Sequence, residues 1–147
     1  MKVIINALSA RRGGIATYTK NLARSFKERG LDSIFAISNE FEIDEDVSVI
    51  RLSANRMSPI KRFLWEQIFW RRLIEKHNPD VLFSSANFGL FFSKVPQVLL
   101  VREGGLFDPL YLANIGPSAS INKLAQRIIR RRLILNSARF SKIIVTP

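Results

Sequence analysis

The chain has 147 residues, 23 Lys and Arg against 12 Asp and Glu, a formal charge of +11, 47% hydrophobic residues, one histidine and no cysteine. This suits a single globular domain with its own core, and it excludes a disulfide framework, a thiolate metal site and a histidine metal cluster. The charge favours an anionic partner such as phosphate groups, nucleic acid or an acidic membrane surface.

Residues 2–8, KVIINAL, form a β-branched apolar run that ends before a glycine pair, the pattern of a buried parallel strand. The opening is interrupted by Asn6 and Arg11 too soon for a signal peptide. No apolar run reaches the roughly 20 residues that cross a bilayer, so any membrane contact would be peripheral. Over 15–29, Ile15, Tyr18, Leu22 and Phe26 recur at spacings of three and four, with Lys20, Arg24, Lys27 and Glu28 on other faces, and Gly30 closes the helix. Residues 33–38 and 47–52 read as strands flanking an acidic loop. A helix is predicted over 58–78, with Ser58 as cap, Pro59 in the first turn and a stop at Asn78 before Pro79. Its last residues include His77, where a cation suits the helix dipole. Residues 80–85 and 97–102 are two more strands, a helix over 121–140 capped by Ser118 or Ser120 follows, and 142–147 is a final strand. This alternation predicts an α/β, doubly wound, mostly parallel sheet with helices on both faces, a Rossmann-like domain.

In such a sheet the turn after the first strand presents the free N–H groups of the following helix to a crevice. Gly13 and Gly14 fall there, and without a Cβ they let an anionic ligand approach the backbone. Arg11 and Arg12 can add charge-assisted hydrogen bonds. The pattern is neither a GxGxxG fingerprint nor a GxxxxGKS phosphate loop, which disfavours nicotinamide binding and phosphate-loop hydrolysis. A tight turn with no ligand is the plain alternative.

Four stretches in order, MKVIINALSARRGGIATYTKNLARSFKERG, HNPDVLFSSANFGLFF, PQVLLVREGGLFDPLYL and RFSKIIVTP, resemble the N-terminal half of GT-B glycosyltransferases of the retaining family four. The resemblance covers nearly the whole chain. It implies an acceptor-side domain of an enzyme that transfers a sugar from a nucleotide diphosphate sugar to a glycan or lipid-linked acceptor. It also implies a second, C-terminal domain that holds the nucleotide sugar, so that the fragment 1–147 is inactive alone. The resemblance places Gly13, Gly14 and Ile15 near the donor diphosphate and acceptor, with Arg11 and Arg12 beside them. Many members carry a His-Asp pair where this chain has Arg102 and Glu103, followed by Gly104 and Gly105. Arg102 and Glu103 are the catalytic candidates here, projecting into the crevice toward the acceptor or the developing charge; the alternative is a mutual ion pair at a loop edge. Ser85, Asn87, Phe107 and Tyr111 are acceptor-side candidates, and the segment from Phe107 through Asp108 and Pro109 to Tyr111 is either a lid or a packed loop. The implied mechanism is positional and electrostatic, with the helix N-terminus stabilising the departing diphosphate and no metal or cofactor beyond the nucleotide sugar. A stand-alone, non-catalytic module that binds an anion is the alternative function.

The two long helices bear on partners. In the last, Ile121, Leu124, Ala125, Ile128 and Leu135 form one stripe expected to face the core, with Lys123, Arg127, Arg130 and Arg131 opposite and Arg132 inside the stripe. The helix over 58–78 is apolar almost all round, with Lys61, Arg62, Arg71 and Arg72 interspersed. It is therefore packed on more than one side, or it lies at the headgroup layer of an anionic membrane. Nucleic acid is disfavoured, because the aromatics are embedded in apolar periodicity and no nucleic-acid motif accompanies them. The expected location is the cytoplasm, with the inner face of the membrane as a peripheral site.

Overall fold

In a computed structural model, residues 1–43, 46–53, 59–85, 87–110 and 121–146 are described. The strands are β1 (Lys2–Asn6), β2 (Asp32–Ser38), β3 (Ser48–Leu52), β4 (Val81–Ser84), β5 (Gln97–Leu100) and β6 (Ile143–Val145). The long helices are α1 (Gly14–Glu28), α2 (Pro59–His77) and α3 (Ile121–Arg139). Ser58, Tyr111, Ser118 and Ser120, singled out above as caps or site residues, lie outside the described residues.

The strands form one parallel sheet in the order β3-β2-β1-β4-β5-β6. The chain starts at the sheet's centre, winds outward to β3, then returns through α2 to the other side of β1, so the winding reverses between β1 and β4. That is the doubly wound arrangement, in which ligands bind outside the carboxyl ends of the strands at the reversal.

Strand alternation divides the core into two layers. Val3 and Ile5 of β1 and Phe35 and Ile37 of β2 pack with Ala23, Leu22 and Phe26 of α1. Ile4, Ile34, Ala36 and Leu82 pack with Trp70, Leu73 and Ile74 of α2. In register, Leu82 pairs with Gln97, so Leu99 lies on the α2 side, where it meets Ile134 of α3. Helices therefore cover both faces, with α1 on one and α2 and α3 on the other.

Element ends follow local chemistry. α1 closes in a Schellman turn: Gly30 takes φ +61°, its N–H donates to Lys27 O at 2.9 Å, and Leu31 N–H donates to Phe26 O at 2.9 Å. α2 stops at His77 because Asn78 turns left-handed (φ +45°) and Pro79 cannot continue a helix. β1 ends two residues earlier than the apolar run suggests, because the Asn6 side chain accepts the Leu8 N–H at 3.3 Å and Ala10 N–H turns back to Ala7 O.

His77 differs from the expectation of a helix-terminal cation. Desolvation first, then the charges of Lys76 and Lys2, lower its pKa from the ordinary histidine value. The folded state thus binds fewer protons than the unfolded chain, so stability is full above the unfolded pKa of about 6.5 and declines as pH falls from there toward the folded pKa. Urea midpoints across this range are expected to show the decline in the parent protein and a flatter profile in His77→Gln.

α3 is the larger departure. The stripe expected to face the core is turned out, with Leu124, Ala125, Ile128 and Leu135 exposed, and the described packing against β5 is made by Ile134 and Ala138, with Ser137 buried. The reason is geometric. A helix of 19 residues is about 28 Å long, whereas β5 has four residues, or about 13 Å of strand. Only part of α3 has sheet beneath it, and Arg130 and Arg131, expected to face solvent, reach Glu103 and Phe107 in this orientation.

Candidate functional site

In a doubly wound sheet the ligand crevice is expected where the winding reverses, here between β1 and β4. Asn6 and Ser84 are partners in the last rung of that pair. Beyond it, Ser85 donates both its Oγ (2.6 Å) and its N–H (3.2 Å) to Asn6 O. Ser85 is fully buried and its hydroxyl is spent on the backbone, so it ties the end of β4 to that of β1.

The glycine pair opens α1 as its position suggests. Gly13 is the N-cap, with φ +67° and ψ −154° and no side-chain cap. The first returns to its carbonyl come from Ala16 N–H (2.9 Å) and Thr17 N–H (3.3 Å). The amides of Gly14 and Ile15 precede them, as orphan donors of the first turn. Gly13 occupies a backbone region essentially reserved for glycine, and a methyl group placed on it would meet nothing within 4 Å. Gly13→Ala is therefore expected to cost about 1–3 kcal/mol from backbone strain alone. Gly14→Ala, whose methyl would meet only Arg102 Nη2 at 3.8 Å, is expected to be close to neutral or stabilising. Chemical denaturation of the two variants checks the contrast.

Arg102 closes the other side of this turn. Past the end of β5, alternation sends Arg102 toward α1 and Glu103 toward α3. The Arg102 guanidinium carbon lies 5.6 Å from the centroid of the Tyr18 ring, one helical turn along from Gly14. Its Nη1 is buried with no hydrogen-bond partner among the described residues. Burial is the main influence on Tyr18 and raises its phenol pKa, with Arg102 pulling the other way; the hydroxyl thus stays protonated near neutral pH. Glu103 pairs with Arg130 of α3. The two adjacent charges thus have partners on opposite sides, and the alternative of a mutual Arg102–Glu103 pair is corrected.

Asn87 holds this arrangement from behind. It takes a left-handed conformation (φ +58°), and its Oδ1 accepts the N–H groups of Arg102 at 2.6 Å and Glu103 at 3.2 Å. Phe107 is packed against the Leu99, Val101 and Ile134 cluster, with the Arg131 guanidinium 5.6 Å from its ring. Arg11 and Arg12 are exposed on the loop leading into the glycine turn. Tyr111 belongs to the segment outside the described residues.

Two residues that sequence reading passed over also shape the site. Glu66 of α2 accepts Asn6 Nδ2 at 3.0 Å on one oxygen and Arg62 Nε at 2.7 Å on the other. Arg62 also donates to Ser9 Oγ at 3.2 Å. This chain of contacts ties the loop after β1 to α2. The available signal was an acid four residues after Arg62 on a helix otherwise rich in Arg and Lys. Tyr18 was assigned to the apolar stripe, but its ring carries Arg102 instead of joining the α1 core layer.

Among the described residues no group of His, Asp and Glu could hold a metal ion, and no helix is long and apolar enough to cross a membrane. No protein-family model matches the chain, and no curated protein matches its sequence.

Proposed function

We propose that this domain is the acceptor-binding half of a GT-B glycosyltransferase, acting in the cytoplasm on a nucleotide diphosphate sugar and a glycan or lipid-linked acceptor. One observation carries the reading: an Arg102 side chain whose buried Nη1 has no hydrogen-bond partner among the described residues brings its Nη2 to 3.8 Å from where a methyl group on Gly14 would stand, beside the first-turn amides of α1. A charged donor beside two main-chain donors of a helix N-terminus suits an oxyanion whose negative charge grows as a sugar–phosphate bond breaks. The sequence resemblance puts a donor diphosphate at the same turn. In this reading Arg102 and the Gly14 and Ile15 amides meet the diphosphate, and Glu103, fixed by Arg130, faces the acceptor. The nucleotide sugar is held mainly by a second doubly wound domain, and residues 1–147 alone are expected to give no sugar transfer.

The test uses inorganic pyrophosphate as the probe of the diphosphate. Titration of the isotopically labelled chain is expected to shift the amide resonances of Gly14 and Ile15 and the Arg102 side-chain N–H. Shifts confined to Arg11, Arg12 or the helix surfaces would overturn the site. A glycan array probed with the same protein separates the enzyme from a plain anion-binding module: bound carbohydrate supports the acceptor role, and its absence alongside pyrophosphate binding refutes it.

A further inference from the structure

Arginine is a long side chain, and a mobile one loses rotamer freedom when a ligand fixes it. Arg102 is already seated before any ligand is present. Its main-chain N–H donates to Asn87 Oδ1 at 2.6 Å, its Nη2 stands beside Gly14, and its guanidinium carbon lies over the Tyr18 ring, 5.6 Å from the centroid. Tyr18 follows Gly14 by four residues, so the two share one face of α1. Helical side chains lean toward the N-terminus, which brings this ring under the first turn. That face is turned away from Thr19 and Ala23, the buried residues of α1. The ring stays out of the core layer that Ile15, Leu22 and Phe26 join. Its phenol is kept neutral by burial, so the ring acts on Arg102 through its face and not through a phenolate charge.

We propose that Tyr18 is a positioning residue for Arg102: its ring holds the guanidinium beside the Gly14 and Ile15 amides, so that an arriving diphosphate meets a fixed donor. The proposal rests on the diphosphate reading of this turn. The choice of an aromatic partner follows from what each kind of partner does to the donors. A carboxylate would hold an arginine firmly, but it would occupy the N–H groups and cancel the charge that a diphosphate needs. An aromatic face attracts the cation through its quadrupole and leaves both the charge and the in-plane N–H groups in place. The adjacent acid, Glu103, is taken up by Arg130 on the other side, and Arg102 Nη1 has no hydrogen-bond partner among the described residues. Tyr18 thus supplies the hold without consuming the donors.

The experiment compares the parent chain with Tyr18→Phe and Tyr18→Leu in two readouts, the Arg102 side-chain proton resonances of the free chain and the affinity for inorganic pyrophosphate. The Arg102 protons are expected upfield of ordinary arginine values in the parent and in Tyr18→Phe, through the ring current, and at ordinary values in Tyr18→Leu. Pyrophosphate affinity is expected to fall about three- to tenfold in Tyr18→Leu and to stay within about twofold of the parent in Tyr18→Phe, which keeps the ring. In the Arg102→Met background Tyr18→Leu is expected to cause no further loss, since the ring acts through the arginine. Leucine is a good helix former and the ring lies outside the core layer, so the variant stays folded. Ordinary Arg102 resonances in the parent, or unchanged affinity in Tyr18→Leu, overturn the proposal. So does an equal loss in Tyr18→Phe, which would make the hydroxyl itself the contact, or the same loss with and without Arg102. If pyrophosphate leaves the Gly14 and Ile15 resonances of the parent unmoved, the diphosphate reading fails separately, and the Arg102 resonances still decide whether Tyr18 holds the side chain.

Discussion

Gly89→Ala is expected to destabilise the domain by about 3–5 kcal/mol, lowering its melting temperature by about 10 °C or more. Gly89 lies against the Gln97 amide: a methyl group there would fall 2.5 Å from Nε2 and 2.9 Å from both Cδ and Oε1. Gln97 cannot step aside freely. It is fully buried, its Oε1 accepts the Leu90 N–H at 2.7 Å, and its Nε2 donates to Ser141 Oγ at 2.8 Å. Displacing the amide leaves buried polar groups on the β4–β5 loop and before β6 without partners, at about 1–3 kcal/mol each. The double variant Gly89→Ala/Gln97→Ala separates clash from glycine conformation, and it is expected to be no less stable than Gln97→Ala alone. If Gly89→Ala melts with the parent protein, Gln97 is not the strut described here.

Arg102→Met is expected to act in the opposite sense on stability and function. Pyrophosphate affinity should fall about 10- to 100-fold, since a hydrogen bond to a charged group contributes about 1.5–3 kcal/mol. The melting temperature should hold or rise, because the substitution removes a buried donor with no partner among the described residues and leaves an apolar chain of similar reach against Tyr18. Arg102→Lys, which keeps the charge but loses the planar fork, is expected to fall between. A loss of affinity that tracks a loss of stability would mean that Arg102 supports the fold and does not bind the anion.

Much of the architecture was legible in the amino-acid order because it rests on local periodicity. The apolar runs at β1, β2, β4 and β5, the Schellman glycine after α1 and the Asn78-Pro79 stop after α2 are each signalled within a few residues, and each lies close to where it was expected. The place of Gly13 and Gly14 at the start of α1, after the first strand, followed as well. Less of the site's wiring could be read this way. Asn6, Glu66, Arg62 and Ser9 are joined across 53 to 60 positions of chain, and nothing local to any of them names the others. Ser85 and Asn87, expected at the acceptor side, have side chains that bond backbone groups.

The amino-acid order by itself determined which segments would be strands and helices, that they would build a parallel sheet wound both ways, and that side-chain-free donors would stand after the first strand. Short-range sterics and hydrophobic periodicity suffice for those outcomes. Only the tertiary structure decided the rotation of α3, the parting of Arg102 and Glu103 to opposite sides, and the seat of Arg102 on Tyr18 beside Gly14. Those depend on how much sheet lies beneath each helix and which distant charges come within reach. A helix with two competing apolar and basic stripes buries whichever one the available strand length and ion partners permit.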